Sequence, residues 1–483
     1  MEEKAQSRFR AMSSKIMKKG FIPFFVCLTV LCLTACGKTE ATSEKNAKPQ
    51  VSTSAENSAK EPEKTSDDPK EVILTEATDD FFAGQKESLR KDFLDWFEKT
   101  YGTETLQSMV DNGVLDDPSV WTNSTGRTIK TLFWDYHQAA DDRFYKENKV
   151  KEIETKSSDK ADFLFSGDLT LAENTATTVL MDKNPNSLSQ CFDQRLMSTM
   201  RDADFFTINN EFCYASDTTG KRLSGKAFCF RADPKRAKLL TRIGADLVSL
   251  ANNHVYDFGK DAFLSTISTL KKNDVPYIGA GKNLTEAKKA YYTIANGRTV
   301  AIIAGTQIER SMNYTKAATA DSPGVLKCLN PKEYVDAIKT AKKNADEVIA
   351  ICHWGTEGTN YYGADQTTLA EKFVKAGADA IVGGHTHTLQ AVEYLDKVPV
   401  FYSLGNFYFS STMNMPRAYD TGLARITIDR NGKVTEKFIP CHFSGGKTSQ
   451  LKKDSSGYDQ IINDMNSWSK SAVIEKNGVI KRK

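Results

Sequence analysis

From residue 162 onward, short apolar runs alternate with stretches of helical periodicity. The runs are "DFLFSGD", "DFFTINNEF", "ADLVSLANNH", "TVAIIAGT", "DEVIAICHWG", "ADAIVGGHTH", "VPVFYSLGNF" and "LARITID". Their β-branched and bulky apolar residues suit strands buried on both faces. The intervening pattern predicts helices over 188–201, 233–243, 260–272, 331–343 and 366–376. Gly244 and Gly377 stand just past two of these, where a left-handed cap is needed. Such alternation implies one α/β domain with a sizeable core. Near the C-terminus, "LARITIDRNGKVTEKFIPCHF" predicts a hairpin turning at Asn431-Gly432.

Upstream the pattern changes. "FFAGQKESLRKDFLDWFEKTYG" places Phe82, Leu89, Phe93, Leu94 and Phe97 on one helical stripe, and "TGRTIKTLFWDYHQAADDRFYKE" predicts a second helix. His137 in that helix is read as structural. Residues 37–70 hold one Val and no aromatic residue, a composition that cannot offset chain entropy and predicts a disordered tether. The predicted organisation is a leader over 1–36, a tether over 37–72, a helical region over 73–157, the α/β domain over 158–445 and a C-terminal extension over 446–483.

The leader has a basic start (Arg8, Arg10, Lys15, Lys18, Lys19) and then "FIPFFVCLTVLCLTAC", too short to span a bilayer comfortably. "LTAC" before Gly37 resembles a bacterial lipobox, so the mature chain is expected to begin at a lipidated Cys36 outside the cytoplasm. An uncleaved N-terminal anchor is the alternative. With the leader's six basic and two acidic residues set aside, 59 Lys+Arg face 60 Asp+Glu. The basic balance thus belongs to the leader, and nothing suggests a nucleic-acid partner. The six cysteines beyond Cys36 form no CxxC pair. Cys213 and Cys229 flank a turn-rich segment that could fold back as a hairpin; a disulfide between them is expected, with two buried thiols as the alternative.

Candidate chemistry collects at the C-terminal ends of the runs. "LFSGD" ends in Asp168, "TINNE" in Glu211, and "SLANNH" in Asn253 and His254; "AICHWG" carries His353, and "IVGGHTH" carries His385 and His387. Ligands of α/β sheets bind beyond the carboxyl ends of strands, so these side chains are expected to converge. Four of the six histidines fall in this set. Carboxylate, amide and imidazole donors suit Mn²⁺, Fe²⁺ or Zn²⁺. Their number exceeds the four ligands of one tetrahedral ion and favours two ions sharing a carboxylate. His442 is read as structural. Asp257 is expected to cap the helix that follows it, and Gly405-Asn406 to form a left-handed turn, with Asn406 lining the pocket as the alternative.

The ordered set "GD…NxE…NNHxxDxG…HWGxE…GGHxH…YSLGNF" resembles the bacterial capsule-synthesis (CapA, poly-γ-glutamate biosynthesis) family, itself similar to calcineurin-like metallophosphoesterases. The similarity spans 162–429. It implies a four-layer α/β/β/α metallophosphoesterase-like sandwich, preceded here by the small helical region. It further implies that Asp168 and His387 share one ion, that Asn253, His353 and His385 hold a second, that Glu211 bridges, and that His254 handles the proton. Two departures stand out: Asp168-Leu169-Thr170 replaces the superfamily's Asp-x-His, and Glu211 replaces a bridging Asp. One or two ions are therefore expected.

The expected function is a lipid-anchored, extracytoplasmic, metal-dependent hydrolase or transferase of an envelope polymer in capsule or poly-γ-glutamate biosynthesis. The alternative is a non-catalytic polymer-binding or export component with a degenerate metal site. A solute-binding lipoprotein is a third reading, which the histidine cluster does not fit. Expected partners are an anionic polymer such as poly-γ-glutamate or capsule, the membrane through the N-terminal lipid, and membrane-bound polymer synthase subunits.

Overall fold

A computed structural model of the protein describes residues 69–70, 87–111, 121–183, 188–310, 312–409 and 419–483. The leader, Cys36, Phe82 and all of the tether region but residues 69–70 lie outside these residues. Among the described residues no helix is long and apolar enough to cross a membrane.

Two large sheets dominate. The eight-stranded sheet runs β19 (Lys447–Gln450), β18 (Val434–Ser444), β17 (Asp420–Asp429), β2 (Lys160–Leu169), β3 (Phe205–Asn210), β6 (Leu247–Ser249) and β7 (Tyr277–Ile278), with β16 (Asn406–Tyr408) also paired to β2. The seven-stranded sheet runs β1 (Lys151–Glu152), β9 (Tyr291–Ala295), β10 (Arg298–Thr306), β12 (Glu347–His353), β13 (Ala380–Gly384), β15 (Val398–Phe401) and β14 (Val392–Leu395). Three two-stranded pairs complete the set: β4 (Cys213–Tyr214) with β5 (Arg231–Ala232), β8 (Ala280–Gly281) with β11 (Gly324–Val325), and β20 (Ala472–Ile474) with β21 (Ile480–Arg482). The strands β2, β3, β6 and β7 are parallel, as are β10, β12, β13 and β15.

Burial follows the pleat. Phe163 and Phe165 of β2 share a core with Val300 and Ile302 of β10 and Val382 of β13, so apolar faces of both sheets meet there. Leu164 of β2, on the other face, packs with Leu196 and Met200 of the helix Gln194–Asp202 and with Phe263 of the helix Gly259–Lys272. Ile303 of β10 packs with Ile338 and Phe373 of the helices Lys332–Asn344 and Ala364–Lys375. The helix 188–201 expected from periodicity starts only at Gln194, because Asp193 caps it by accepting from the Leu196 N–H. Over 233–243 the helix divides into a 3₁₀ turn, Pro234–Ala237, and Lys238–Arg242. Gly244 and Gly377 have φ of 82° and 108°, the left-handed caps expected of them.

The run "VPVFYSLGNF" is not one strand. It divides into β15 of one sheet and β16 of the other, and Gly405 at φ 69° turns the chain between them. The hairpin at Asn431-Gly432 forms as β17 and β18. The predicted Cys213–Cys229 disulfide is absent; both are free thiols. The segment between them does not fold as a hairpin: β4 and β5 pair in parallel, with Arg231 opposite Cys213, and this register carries Cys229 past the buried thiol.

Phe93, Leu94 and Phe97 of the helix Glu87–Tyr101 form a separate core with Leu106, Ile129 and Phe133. The helix Ile129–Asn148 reaches the seven-stranded sheet through Phe144, which packs edge-on against Tyr292. His137 in that helix stacks on Trp134 beside Asp141. His442 has the polar company its strand did not advertise, 2.8 Å from Asp420 Oδ1 on the paired strand.

At the C-terminus the helix Ser456–Trp468 places Ile461 and Met465 in the core shared by the sheets. The segment after it runs beside the edge strand β14. Ser469 Oγ accepts from Val392 N at 3.1 Å and Ser471 Oγ from Tyr394 N at 2.8 Å, while the Glu393 carboxylate accepts from Lys470 N and Ser471 N.

Lys327 donates to the Ile308 carbonyl, and burial pushes its ammonium down from 10.5 to about 8. Between those values the unfolded chain binds a proton that the folded chain has released, so this group's contribution to stability rises with pH. Lys327→Met is expected to stabilise the protein at pH 7 by about 1–3 kcal/mol. That advantage should shrink as pH climbs through 8 toward 10.5, read by urea unfolding of both proteins across the range.

Candidate metal centre

The polar side chains at the strand ends converge. Asp168 lies at the end of β2 opposite Asn209 of β3, and Glu211 follows β3, its N–H donating to the Leu169 carbonyl. Asn253 and His254 follow β6; His353 ends β12 opposite Gly384 of β13, and His385 and His387 come next. Asp168 and Glu211 are fully buried, and the histidines nearly so.

Local backbone geometry explains "GGHTH". A Cβ on Gly384 would lie 2.8 Å from Asp168 Oδ1, so only glycine lets β13 approach that carboxylate. The His385 N–H then donates to Asp168 Oδ2 at 3.1 Å. His385 and His387 adopt φ of 93° and 57°, a left-handed conformation that costs a non-glycine residue of order 1–3 kcal/mol. Two such residues in one turn mark a site held by its surroundings.

Two ligand sets result. Glu211, His353 and His385 form one; Asp168, Glu211 and His387 form the other; within each, the donor atoms lie within 4.8 Å of one another. Glu211 belongs to both. Asn253 adjoins the first set, with Oδ1 2.8 Å from His353 Nε2. Asn406 adjoins the second, with Oδ1 2.8 Å from His387 Nδ1. The crossing from β15 to β16 brings its side chain to His387, so the pocket-lining alternative holds over a turn alone. The Thr170 hydroxyl, at the Asp-x-His departure, accepts from the Ala172 N–H.

The cluster has the electrostatics of a cation site. His353 Nε2 lies 2.8 Å from Asn253 Oδ1, 3.2 Å from His385 Nδ1 and 3.3 Å from Glu211 Oε1. One ring N–H can serve one of these partners, whereas a cation can serve all the lone pairs together. Both Glu211 oxygens are buried without a hydrogen bond. Burial, then Asp168 and Glu357, push the Glu211 carboxyl well above the usual range; burial pushes Asp168 up too, against the pull of His387. Burial and the neighbouring imidazoles hold His353 and His385 well below theirs. Without a cation every one of these groups is driven toward its neutral form, and a divalent ion reverses that for the carboxylates. The oxygen and imidazole donors fit Mn²⁺, Fe²⁺ or Zn²⁺.

His254 stands beside the sets rather than in them. Its Nδ1 lies 2.7 Å from Asp257 Oδ2, and Phe230 packs on its ring at 4.5 Å. Asp257 does not cap the following helix, whose N-terminus has no side-chain cap. Its carboxylate instead accepts from the Phe230 N–H and pairs with buried Lys226 at 2.7 Å. Lys226 also pairs with Glu309 at 3.0 Å and donates to the Asn253 carbonyl. With Nδ1–H directed at Asp257, Nε2 of a neutral His254 is the free acceptor. Burial, against the opposing charge of Asp257, holds His254 below its ordinary range and favours that neutral form.

Several site residues carry no assignment from sequence. Asn209 Nδ2 donates to Asp168 Oδ1 at 2.8 Å, and Asn252 Nδ2 donates to Asn209 Oδ1 at 2.9 Å. Glu357, within the "HWGxE" pattern, has Oε1 3.9 Å from His385 Nε2.

The family described as "Bacterial capsule synthesis protein PGA_cap" matches residues 162–411, just over half of the chain and all of the ligand sets. The chain is 29% identical over 318 residues to the "PGA biosynthesis protein CapA" of Bacillus subtilis, covering 66% of this chain and 80% of that one. It is 32% identical over 283 residues to the "Capsule biosynthesis protein CapA" of Bacillus anthracis, covering 56% and 67%. A Mycobacterium tuberculosis protein named "Probable polyglutamine synthesis accessory protein" is 26% identical over 210 residues, covering 42% and 55%. The chain belongs to the bacterial capsule synthesis protein PGA_cap family.

Proposed function

We propose that this chain is a lipid-anchored, extracytoplasmic component of capsule or poly-γ-glutamate biosynthesis, acting on an anionic envelope polymer as a metal-dependent hydrolase or transferase. The observation that carries the reading is Glu211, a fully buried carboxylate without hydrogen bonds that is common to both ligand sets. The two apolar sheet faces that meet in one core, with helices packed on the outer faces, support a four-layer metallophosphoesterase-like sandwich. In that frame Asp168, His387 and Asn406 would hold one ion and Asn253, His353 and His385 the other, with Glu211 between them. Bound metal would supply an activated water and a clamp for a phosphoryl or acyl oxygen.

The chain's own groups do the rest. Asp257 holds His254 with Nε2 free, and that nitrogen takes a proton from the attacking group and returns it to the leaving atom. Lys226 fixes Asp257 and, through the Asn253 carbonyl, the loop that carries His254. Asn209 and Asn252 fix the Asp168 carboxylate. A second reading, a non-catalytic accessory protein, is favoured by Thr170, whose hydroxyl is turned to its own backbone where the superfamily has a ligand.

Elemental analysis of the purified chain, with His385→Ala and Asp168→Ala beside it, tests the proposal. Two equivalents of transition metal are expected, reduced in both variants, with metal-dependent turnover in a phosphodiester and γ-glutamyl substrate screen. One equivalent, lost with His385→Ala and kept with Asp168→Ala, would mean that the first position is empty. No metal after loading with Mn²⁺, Fe²⁺ and Zn²⁺ would leave the accessory reading.

A further inference from the structure

Away from the ligand sets, a cavity of about 410 Å³ opens between the helix Gln194–Asp202, the strands β17 to β19 and the turn after β19. Five cations line it, Arg195, Arg425, Lys437, Lys452 and Lys453, and no carboxylate does. Between them the wall is apolar, with Ile439, Pro440 and Leu451. Arg425 pairs with Leu164 on β2, four residues and about 13 Å along the strand before Asp168.

The charge arrangement is unfavourable as it stands. Arg425 and Lys437 face each other directly on adjacent antiparallel strands, where like charges destabilise a sheet. Arg425 has one carboxylate neighbour, Asp162 at 3.5 Å, which also accepts from the Thr427 hydroxyl. Its inner nitrogen, Nε, is buried without a partner. Burial, Arg425 and Lys453 together push the Lys437 ammonium down, against Asp162. Bound negative charge would relieve every one of these conflicts.

We propose that this cavity binds a stretch of polycarboxylate chain, whose acidic groups are carried on short aliphatic arms, at a site separate from the metal-ligand cluster. A compact phosphate would seek converging backbone N–H groups at a helix N-terminus. Both helices that reach the cavity have that end already capped, Gln194–Asp202 by Asp193 and Ser456–Trp468 by Ser455. The cations instead come from four separate places, the helix Gln194–Asp202, β17, β18 and the turn after β19, with apolar wall between them. An extended chain with separated carboxylates can meet cations on separate elements while its methylenes lie on the apolar wall between them. The inference goes beyond the metal site and holds whether or not that site turns substrate over.

The test is fluorescence anisotropy of a labelled γ-linked glutamate decamer titrated with the full chain at low salt. The Arg425→Gln/Lys437→Gln pair is expected to weaken binding at least about tenfold. The Lys452→Gln/Lys453→Gln pair, on an exposed turn where folding is not at risk, should weaken it in the same direction. A glutamine decamer should not bind, and Lys339→Gln/Lys372→Gln, a matched loss of charge on exposed positions outside both the cavity and the metal-ligand cluster, should leave the affinity for the glutamate decamer unchanged. Binding indifferent to all four cations and lost with His385→Ala would overturn the proposal by assigning the polymer to the metal-ligand cluster alone. Binding of pyrophosphate without binding of the decamer would also overturn it.

Discussion

Glu211→Gln is expected to abolish binding at both metal positions while making the metal-free protein more stable. The carboxylate is common to the two ligand sets, and neither oxygen has a hydrogen-bond partner. Without metal, burial drives that carboxyl toward its protonated form, so folding at neutral pH must take up a proton there, a cost that the uncharged amide of glutamine does not carry. The metal-bound wild type gains the opposite effect: at a free ion concentration of about 100 times Kd, binding stabilises the native state by about 2.7 kcal/mol. Thermal unfolding with and without Mn²⁺ separates the two. The variant should melt above the wild type in chelator and show no shift on adding metal. A variant that melts lower in chelator would mean that Glu211 is a structural group. A retained metal shift would mean that the ligand sets do not depend on it.

The second large effect concerns His254. Its imidazole lies outside the ligand sets, buried against Phe230 and oriented by Asp257. His254→Asn should lower kcat by about 10²–10⁴-fold, the usual contribution of a positioned proton-transfer group. Metal content should stay at the wild-type level and KM should change little. Asp257→Asn removes the acceptor that orients the ring and one partner of Lys226, so it should lower kcat with a displaced acid limb in the pH profile. Equal metal loss in both variants would instead make the pair a support for the loop after β6.

Much of this was legible because it depends on short-range pattern. Strands buried on both faces announce themselves as apolar runs, and the polar residues that interrupt those runs are the ones that converge. Gly384 was legible for the same reason: a glycine beside two histidines signals close approach, and what approaches is Asp168. Failures came where a local rule competed with a distant contact. Asp257 sits where a helix cap belongs, yet Lys226 and the Phe230 N–H, about 30 residues upstream, claim its carboxylate. Asn406 follows a left-handed glycine and reads as a turn, but the turn carries the chain from one sheet to the other, a topological fact with no local signature. The amides of Asn209 and Asn252 take their places from partners on other strands, Asp168 and His353 for the first and Asn209 and the Asn210 carbonyl for the second. The expected disulfide assumed a hairpin where the chain forms a parallel pair with another register.

The serines beside β14 have one further consequence. A sheet ending in free N–H groups is a template for another extended chain, whether a second copy or a passing peptide. Here Ser469 and Ser471 occupy the outward donors of β14, and Glu393 anchors the segment that presents them. The segment after the helix Ser456–Trp468 thus acts as a selvedge, finishing the cloth on that side.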